Sequence, residues 1–89
     1  TSFPVYIGTP DAPIVARAMQ AYTERTGRDA NAVFAVGEPD SIVEHVAGFV
    51  DGGVYKFVLR PVGADADETL AQTRRIIEDV IPAVASRFA

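Results

Sequence analysis

The sequence contains no cysteine and no tryptophan, and His45 is the only histidine among its 89 residues. The absence of cysteine excludes disulfides and thiolate metal sites, and it fits a reducing, cytoplasmic location. One histidine among scattered carboxylates gives no metal-ligand spacing, so no metal site is expected. Ser2, Ser41 and Ser86 have no recognisable base partner, which leaves no predicted catalytic residue.

The chain also lacks a basic stripe and a long apolar run. Its 8 basic and 12 acidic residues give a net charge of −4, so nucleic acid is not an expected partner. The apolar runs are far shorter than the roughly 20 residues that a membrane helix needs, and no signal peptide is visible. A membrane partner is therefore not expected either.

The composition that remains is typical of a folded chain. Hydrophobic residues make up 48% of the sequence, charged residues 22%, and the mean hydropathy is +0.14. A chain of this length forms one domain at most. It buries only about 60–65% of the surface that its unfolded form exposes, so its margin of stability is thin.

Strand and helix patterns alternate along the chain. The helices are predicted from Pro13 to a stop at Gly27, over 38–53, and from about 65 to the end, with a kink at Pro82. The predicted strands are "FPVYIG" (3–8), "VFAVG" (33–37) and "VYKFVLR" (54–60). This order predicts an α/β fold with parallel strands joined by right-handed crossovers.

The third strand suggests that the chain is part of something larger. Apolar residues fill positions 57–59 without alternation, which is typical of a parallel strand covered on both faces. Helices wound in one sense would cover only one face of a three-stranded sheet. We therefore expect either a segment of a larger α/β unit or tight pairing with another chain.

The residues from about 36 to 84 resemble the C-terminal segment of the luciferase-like monooxygenase family. The resemblance is carried by Gly37 with Pro39, by Gly53-Val54, by "FVLRP" (57–61) and by the closing-helix run 78–84. It is weaker over 22–33 and weakest over 1–13. Glu38 departs from the family, which commonly has threonine as the helix cap at this point.

The resemblance implies a fold and an activity that are expectations at this stage. Family members are (β/α)8 TIM-barrel oxidoreductases and monooxygenases that use FMN or the deazaflavin coenzyme F420, and they commonly form dimers. The chain would supply the last two βα units, the seventh and eighth, with 3–8 as the seventh strand and 54–60 as the eighth; the barrel status of 33–37 stays open. Most of the cofactor site would lie outside the chain, so we do not expect activity from it alone.

Candidate cofactor-binding residues follow from the ends of the predicted strands, where TIM barrels place their active sites. Arg60 is a candidate for binding a phosphate or carboxylate, and Tyr6 for pointing a hydroxyl into the pocket. Gly8 and Gly63 are candidates for offering backbone N–H groups to a phosphate. The alternative for each is an ordinary structural role at the rim. His45 lies off the predicted apolar stripe of its helix, so we expect it to be a solvated or flanking residue.

Two other hypotheses stay open. The chain is alternatively a truncated, non-catalytic relative that acts as a dimerisation or protein-interaction module, or a minimal βαβ domain of unrelated function. The expected partners are accordingly the remaining barrel segment or a second copy of the chain, together with a flavin-type cofactor.

Overall fold

The computed structural model describes residues 1–88 as a three-layer α/β unit. The strands are β1 (Ser2–Ile7), β2 (Ala35–Gly37) and β3 (Val58–Pro61). The helices are α1 (Pro13–Thr26), α2 (Ala30–Val33), α3 (Pro39–Asp51), α4 (Ala66–Arg75) and α5 (Ile81–Arg87), and a π-helical segment (Ile76–Val80) joins the last two. The predicted α/β class and parallel strands are confirmed.

The strands form one parallel sheet in the order β2-β1-β3. Tyr6 lies opposite Val36 of β2, and Pro4 lies opposite Arg60 of β3. The central position of β1 makes it the strand that is covered on both faces, and Phe3, Pro4 and Val5 are all buried.

Helices lie on both faces of this sheet. Phe3, Val5 and Ile7 project to one face (face A), where the packing partners are Ile42, Val43 and Val46 of α3 with Ile76 and Val80. The opposite face (face B) carries Tyr6 and Val36, which pack with Tyr22 of α1, Ala30 and Phe34. The expectation that helices would cover only one face is therefore wrong. Because the crossover to β2 and the return to β3 run in opposite directions along the sheet, equal handedness places their helices on opposite faces.

The prediction of a doubly buried strand at 54–60 is also wrong. The strand begins only at Val58, which is 60% exposed, and Tyr55 before it is 78% exposed. β3 lies at the edge of the sheet because β1 takes the centre. Phe57 and Leu59 of this run therefore line the face A side of the edge strand, whereas Val58 and Arg60 on the other side are exposed.

The helix boundaries follow local chemistry. Pro13 and Pro39 open α1 and α3, where a missing N–H costs nothing, and Gly27 closes α1 in the left-handed conformation with φ of 70°. Pro82 cannot donate to the carbonyl of Glu78, and the helix widens into the π-helical segment, where the N–H of Ile81 bonds Ile76. The predicted disturbance at Pro82 thus takes the form of a π turn.

The apolar stripe predicted for the final helix is partly wrong; it comprised Leu70, Thr73, Ile77, Val80, Ile81, Val84 and Phe88. Val80 is buried as predicted, and so is Ile76, which the prediction left out, whereas Ile77 is 56% and Ile81 50% exposed. The exposed residues of the predicted stripe are Leu70, Ile77, Ile81 and Phe88. Part of the final helix that its apolar pattern predicted to be buried is therefore exposed in this chain.

Candidate functional site

The carboxyl ends of β1 and β3 lie side by side at a point where the chain leaves the sheet in two directions. The segment after β1 leads to α1 on face B, and the segment after β3 leads to α4, which continues into the residues that cover face A. Open α/β sheets bind ligands in the crevice beside such a switch point. Gly8 and Gly63, two of the predicted site residues, follow these two strands.

Tyr6 and Gly8 contact each other at this edge. A Cβ atom placed on Gly8 would lie 2.8 Å from Cε2 of Tyr6, so only glycine allows the ring to rest there. The N–H of Gly8 donates to the carbonyl oxygen of Gly37 at 3.0 Å. This N–H is consequently occupied within the sheet, which agrees with the structural alternative for Gly8 rather than with its candidate role of donating to a phosphate.

Gly63 packs against the first turn of α4. A Cβ atom on Gly63 would lie 2.5 Å from Oγ1 and 2.6 Å from the backbone nitrogen of Thr69. In the same turn, Oδ1 of Asp65 accepts the N–H of Glu68 at 2.8 Å, and Oε1 of Glu68 accepts the N–H of Ala64 at 3.1 Å. The chain's own carboxylates therefore occupy the donors of this helix start, and their charge disfavours a phosphate there.

Gln72 occupies the inner part of the crevice. Its Nε2 donates to the carbonyl oxygen of Ile7 at 3.0 Å, and its Oε1 accepts the Ile7 N–H at 2.8 Å. The last bond from the β3 side reaches Val5, through the N–H of Val62. Alternate residues of a strand hydrogen-bond to the same neighbouring strand, so Ile7, like Val5, directs its N–H and C=O toward the β3 side. Among residues 1–88, no strand residue lies beside Ile7 there, and the Gln72 side-chain amide makes the two hydrogen bonds in its place.

Arg60 lies on face B, the face that also carries Tyr6. It is exposed and lines a groove of about 270 Å³ together with Arg25 and Tyr22 of α1. The remaining lining residues are Pro4, Ala18, Ala21, Phe34, Pro61 and Val62. Tyr6, Gly8 and Gly63 are not among them, so the structure does not bring the four predicted residues into one pocket.

The face B groove combines two guanidinium groups with an aromatic floor. Within residues 1–88, the ion pairs join Arg75 to Asp79 and Arg87 to Glu44, and neither involves Arg25 or Arg60. The guanidinium of Arg25 lies 5.8 Å from the ring centroid of Tyr22. Arg25 was not identified from the sequence as a site residue, because basic residues are common in the last turn of a helix and its position needed no other explanation.

A larger, apolar groove lies on face A between β3 and the end of the chain. It has a volume of about 470 Å³. Its lining residues are Val46, Phe57, Leu59, Pro61, Thr73, Ile76, Ile77, Ile81, Val84 and Ala85. None of these side chains is charged, so the groove can accept an apolar surface but offers little to a polar ligand.

The outer edge of β3 lies beside this apolar groove. The N–H of Val58 donates to the carbonyl oxygen of Thr1, and the N–H of Val62 donates to that of Val5. The even-numbered residues of this segment therefore direct their backbone groups toward β1. Leu59 therefore directs its N–H and C=O away from the sheet. Pro61 follows it on the same edge with no N–H to offer, which limits how far another strand can pair here.

Of the two positions predicted for His45, solvated or flanking the apolar stripe, the structure shows the flanking one. Its ring centroid lies 4.6 Å from that of Phe3 and 5.5 Å from that of Phe49, and its Nε2 is buried without a hydrogen-bond partner. Burial lowers the pKa of His45 below its ordinary value, and the backbone of Val33 opposes this shift in part. The prediction relied on the apolar stripe of α3 alone and could not include the aromatic residues of β1.

The described residues 1–88 contain no group of three or more histidines or carboxylates that could hold a metal ion. Over the same residues, no helix combines the length and apolar character needed to cross a membrane. No protein-family model, curated protein or solved structure matches this chain.

Proposed function

We propose that this chain is the C-terminal portion of a luciferase-like oxidoreductase or monooxygenase that uses FMN or coenzyme F420. The observation that carries the proposal is the agreement between the family-like residues and the boundaries of the structure. Gly37 ends β2 and Pro39 begins α3, while the run 57–61 contains β3. The motif residues thus stand where a strand-helix-strand unit needs them.

Two further features support this reading. β1 and β3, which the resemblance assigns to the seventh and eighth strands of a (β/α)8 barrel, are paired neighbours. In such a barrel the eighth strand must also pair with the first, and the outer edge of β3 still carries the free backbone groups of Leu59. The apolar groove on face A would then be covered by the segments that this chain lacks.

The proposal also carries a structural consequence. A barrel places its strands in sequential order and all of its helices outside, whereas here β2 lies beyond β1 and α1 covers face B. Closing the barrel would therefore require α1 and β2 to leave their present positions. The cofactor would supply the redox chemistry, and this chain would contribute walls of the pocket rather than catalytic side chains.

The gene that encodes these residues tests the proposal. A reading frame with about 200 further residues upstream would supply the rest of a typical barrel of roughly 250 residues. The encoded protein should bind FMN or F420 in an absorbance titration and hold it in a form that can be reduced. A reading frame that starts near Thr1, or an extended protein that binds neither cofactor, would contradict the proposal.

A second candidate function is self-association, which the exposed stripe of the final helix favours. Its exposed apolar residues are Leu70, Ile77, Ile81 and Phe88. They lie seven, four and seven residues apart, and this order reads the same in both directions. An antiparallel second copy would therefore place Ile77 opposite Ile81 of the partner subunit.

Sedimentation analysis distinguishes this second candidate. The 89-residue chain should form a dimer that the double substitution Ile77→Glu and Ile81→Glu converts to a monomer. Ala71→Glu, on an exposed position of the same helix outside the stripe, should leave the dimer intact. A monomeric wild-type chain at about 100 µM would refute self-association, because it implies a dissociation free energy no larger than roughly 5–6 kcal/mol.

A further inference from the structure

We propose that the face B groove binds a small anion that carries a flat aromatic or apolar body, such as an aryl phosphate or an aromatic carboxylate. The inference requires neither a flavin nor any segment beyond this chain, and it does not rest on the proposed oxidoreductase role. It concerns the arrangement in which α1 lies on face B, because barrel closure would displace α1 and remove the groove. It depends on what Arg25, Arg60, Tyr22 and Phe34 do together.

The charge of the groove is the first observation. Arg25 from α1 and Arg60 from β3 line the same groove, and the groove lining within residues 1–88 contains no carboxylate. The chain as a whole has a net charge of −4, so this positive surface contrasts with the rest of the molecule. Two like charges that converge without a counter-charge repel each other, and an anion bound between them removes that repulsion.

The donor chemistry indicates the type of anion. Each guanidinium is a planar fork of N–H donors that matches two oxygens of a phosphate or carboxylate. Tyr22 contacts Arg25 through its ring, and this contact holds the guanidinium beside the groove. A phosphate or carboxylate oxygen pair is therefore a better fit than a halide, which offers one contact point.

The shape of the groove indicates the body of the ligand. Tyr22 and Phe34 meet edge to face with ring centroids 5.6 Å apart, and small or rigid side chains complete the lining. The volume of about 270 Å³ lies below the roughly 300–1,000 Å³ that drug-sized ligands occupy. The ligand is consequently about the size of a single ring with one acidic group.

A chemical-shift titration of the isotope-labelled 89-residue chain tests this inference with three probes: phenyl phosphate, inorganic phosphate and phenol. Phenyl phosphate should bind with a dissociation constant of about 1 mM and at least fivefold more tightly than either of the other two, since each of these supplies only half of the recognition. The shifted amides should concentrate at Ala18, Ala21, Tyr22 and Val62, which line the groove. Shifts centred on the apolar groove of face A would overturn the inference.

Substitutions give an independent test. Arg25→Met and Arg60→Met should each weaken phenyl phosphate binding about tenfold, while Arg25→Lys and Arg60→Lys, which keep the charge, should weaken it less. Arg17→Met is the matched control, because Arg17 is an exposed arginine of α1 outside the groove lining. Equal weakening by Arg17→Met, unchanged binding in both Arg→Met variants, or no binding to the wild-type chain at 10 mM phenyl phosphate would each overturn the inference.

Discussion

Replacing Gln72 with leucine should destabilise the chain by about 1–4 kcal/mol. Gln72 is buried, and its side-chain amide satisfies both the N–H and the C=O of Ile7 at 2.8 and 3.0 Å. Leucine keeps the volume but leaves two buried backbone groups without partners, at roughly 1–3 kcal/mol each, less the gain from burying the leucine side chain. Small domains have about 5–15 kcal/mol of stability in total, so the variant should lose a substantial fraction of it.

Urea denaturation followed by circular dichroism measures this loss. Gln20→Leu is the matched control, since Gln20 is exposed and bonds only to Glu24 at the surface; it should change the free energy of unfolding by no more than about 0.5 kcal/mol. Gln72→Glu should be no milder at neutral pH, because a buried carboxylate pays for desolvation and faces the Ile7 carbonyl oxygen without a proton to donate. It should regain stability on acidification, since the protonated acid can both accept the Ile7 N–H and donate to its carbonyl. A Gln72→Leu variant as stable as Gln20→Leu would refute the role assigned to this side chain.

Three further predictions address other parts of the structure. Gly63→Ala should lower the free energy of unfolding by roughly 1–3 kcal/mol in a denaturant titration, because the new Cβ would lie 2.5 Å from Oγ1 of Thr69. Gly48→Ala is the control: the position in α3 has open space around it, and the variant should gain roughly 0.5–1 kcal/mol. Equal effects of the two substitutions would contradict the packing described. Because burial lowers the pKa of His45 below 6.5, the unfolded chain takes up the His45 proton first as the pH falls, and the free energy of unfolding should decrease below about pH 6.5. Denaturant unfolding curves of His45→Phe should lack this decrease between about pH 7 and 5. The same pH dependence in the wild-type chain and the variant would refute the prediction. In the extended protein, Arg60→Met should weaken cofactor or substrate binding without changing the melting temperature, while lost stability alone would indicate a structural role.

Local chemistry made much of the fold predictable from the sequence. Pro13, Gly27 and Pro39 mark helix ends through backbone constraints that do not depend on the rest of the molecule, and the structure places the ends there. The first strand likewise depends on a compact run of β-branched and aromatic residues. The alternation of such segments was sufficient for the α/β class and for parallel pairing.

The errors arose where long-range topology decides the outcome. The apolar composition of 54–60 does not reveal that β1 takes the central position and leaves β3 at the edge. For His45, the apolar pattern of α3 could not distinguish a solvated from a flanking position, and Phe3 on β1 covers the ring. In both cases the deciding neighbour is distant in sequence, and no local period encodes it.

Gln72 shows a signal that was present but not used. It lies four residues before Ile76 and eight before Val80, and all three are buried on one side of the last helix. A polar side chain in phase with buried residues must find hydrogen-bond partners inside the protein. No comparable sequence pattern indicated the Arg25–Arg60 groove, because α1 and β3 are distant in sequence and come together only in the folded chain.

The most direct test of the proposed function is cofactor binding by the complete gene product that contains these 89 residues. We predict that the protein extends upstream by about 200 residues, enough for a barrel of roughly 250, and that absorbance titration shows stoichiometric binding of FMN or F420 that is weakened by Arg60→Met. A complete product that begins near Thr1 and leaves the absorbance spectra of both cofactors unchanged would contradict the proposal.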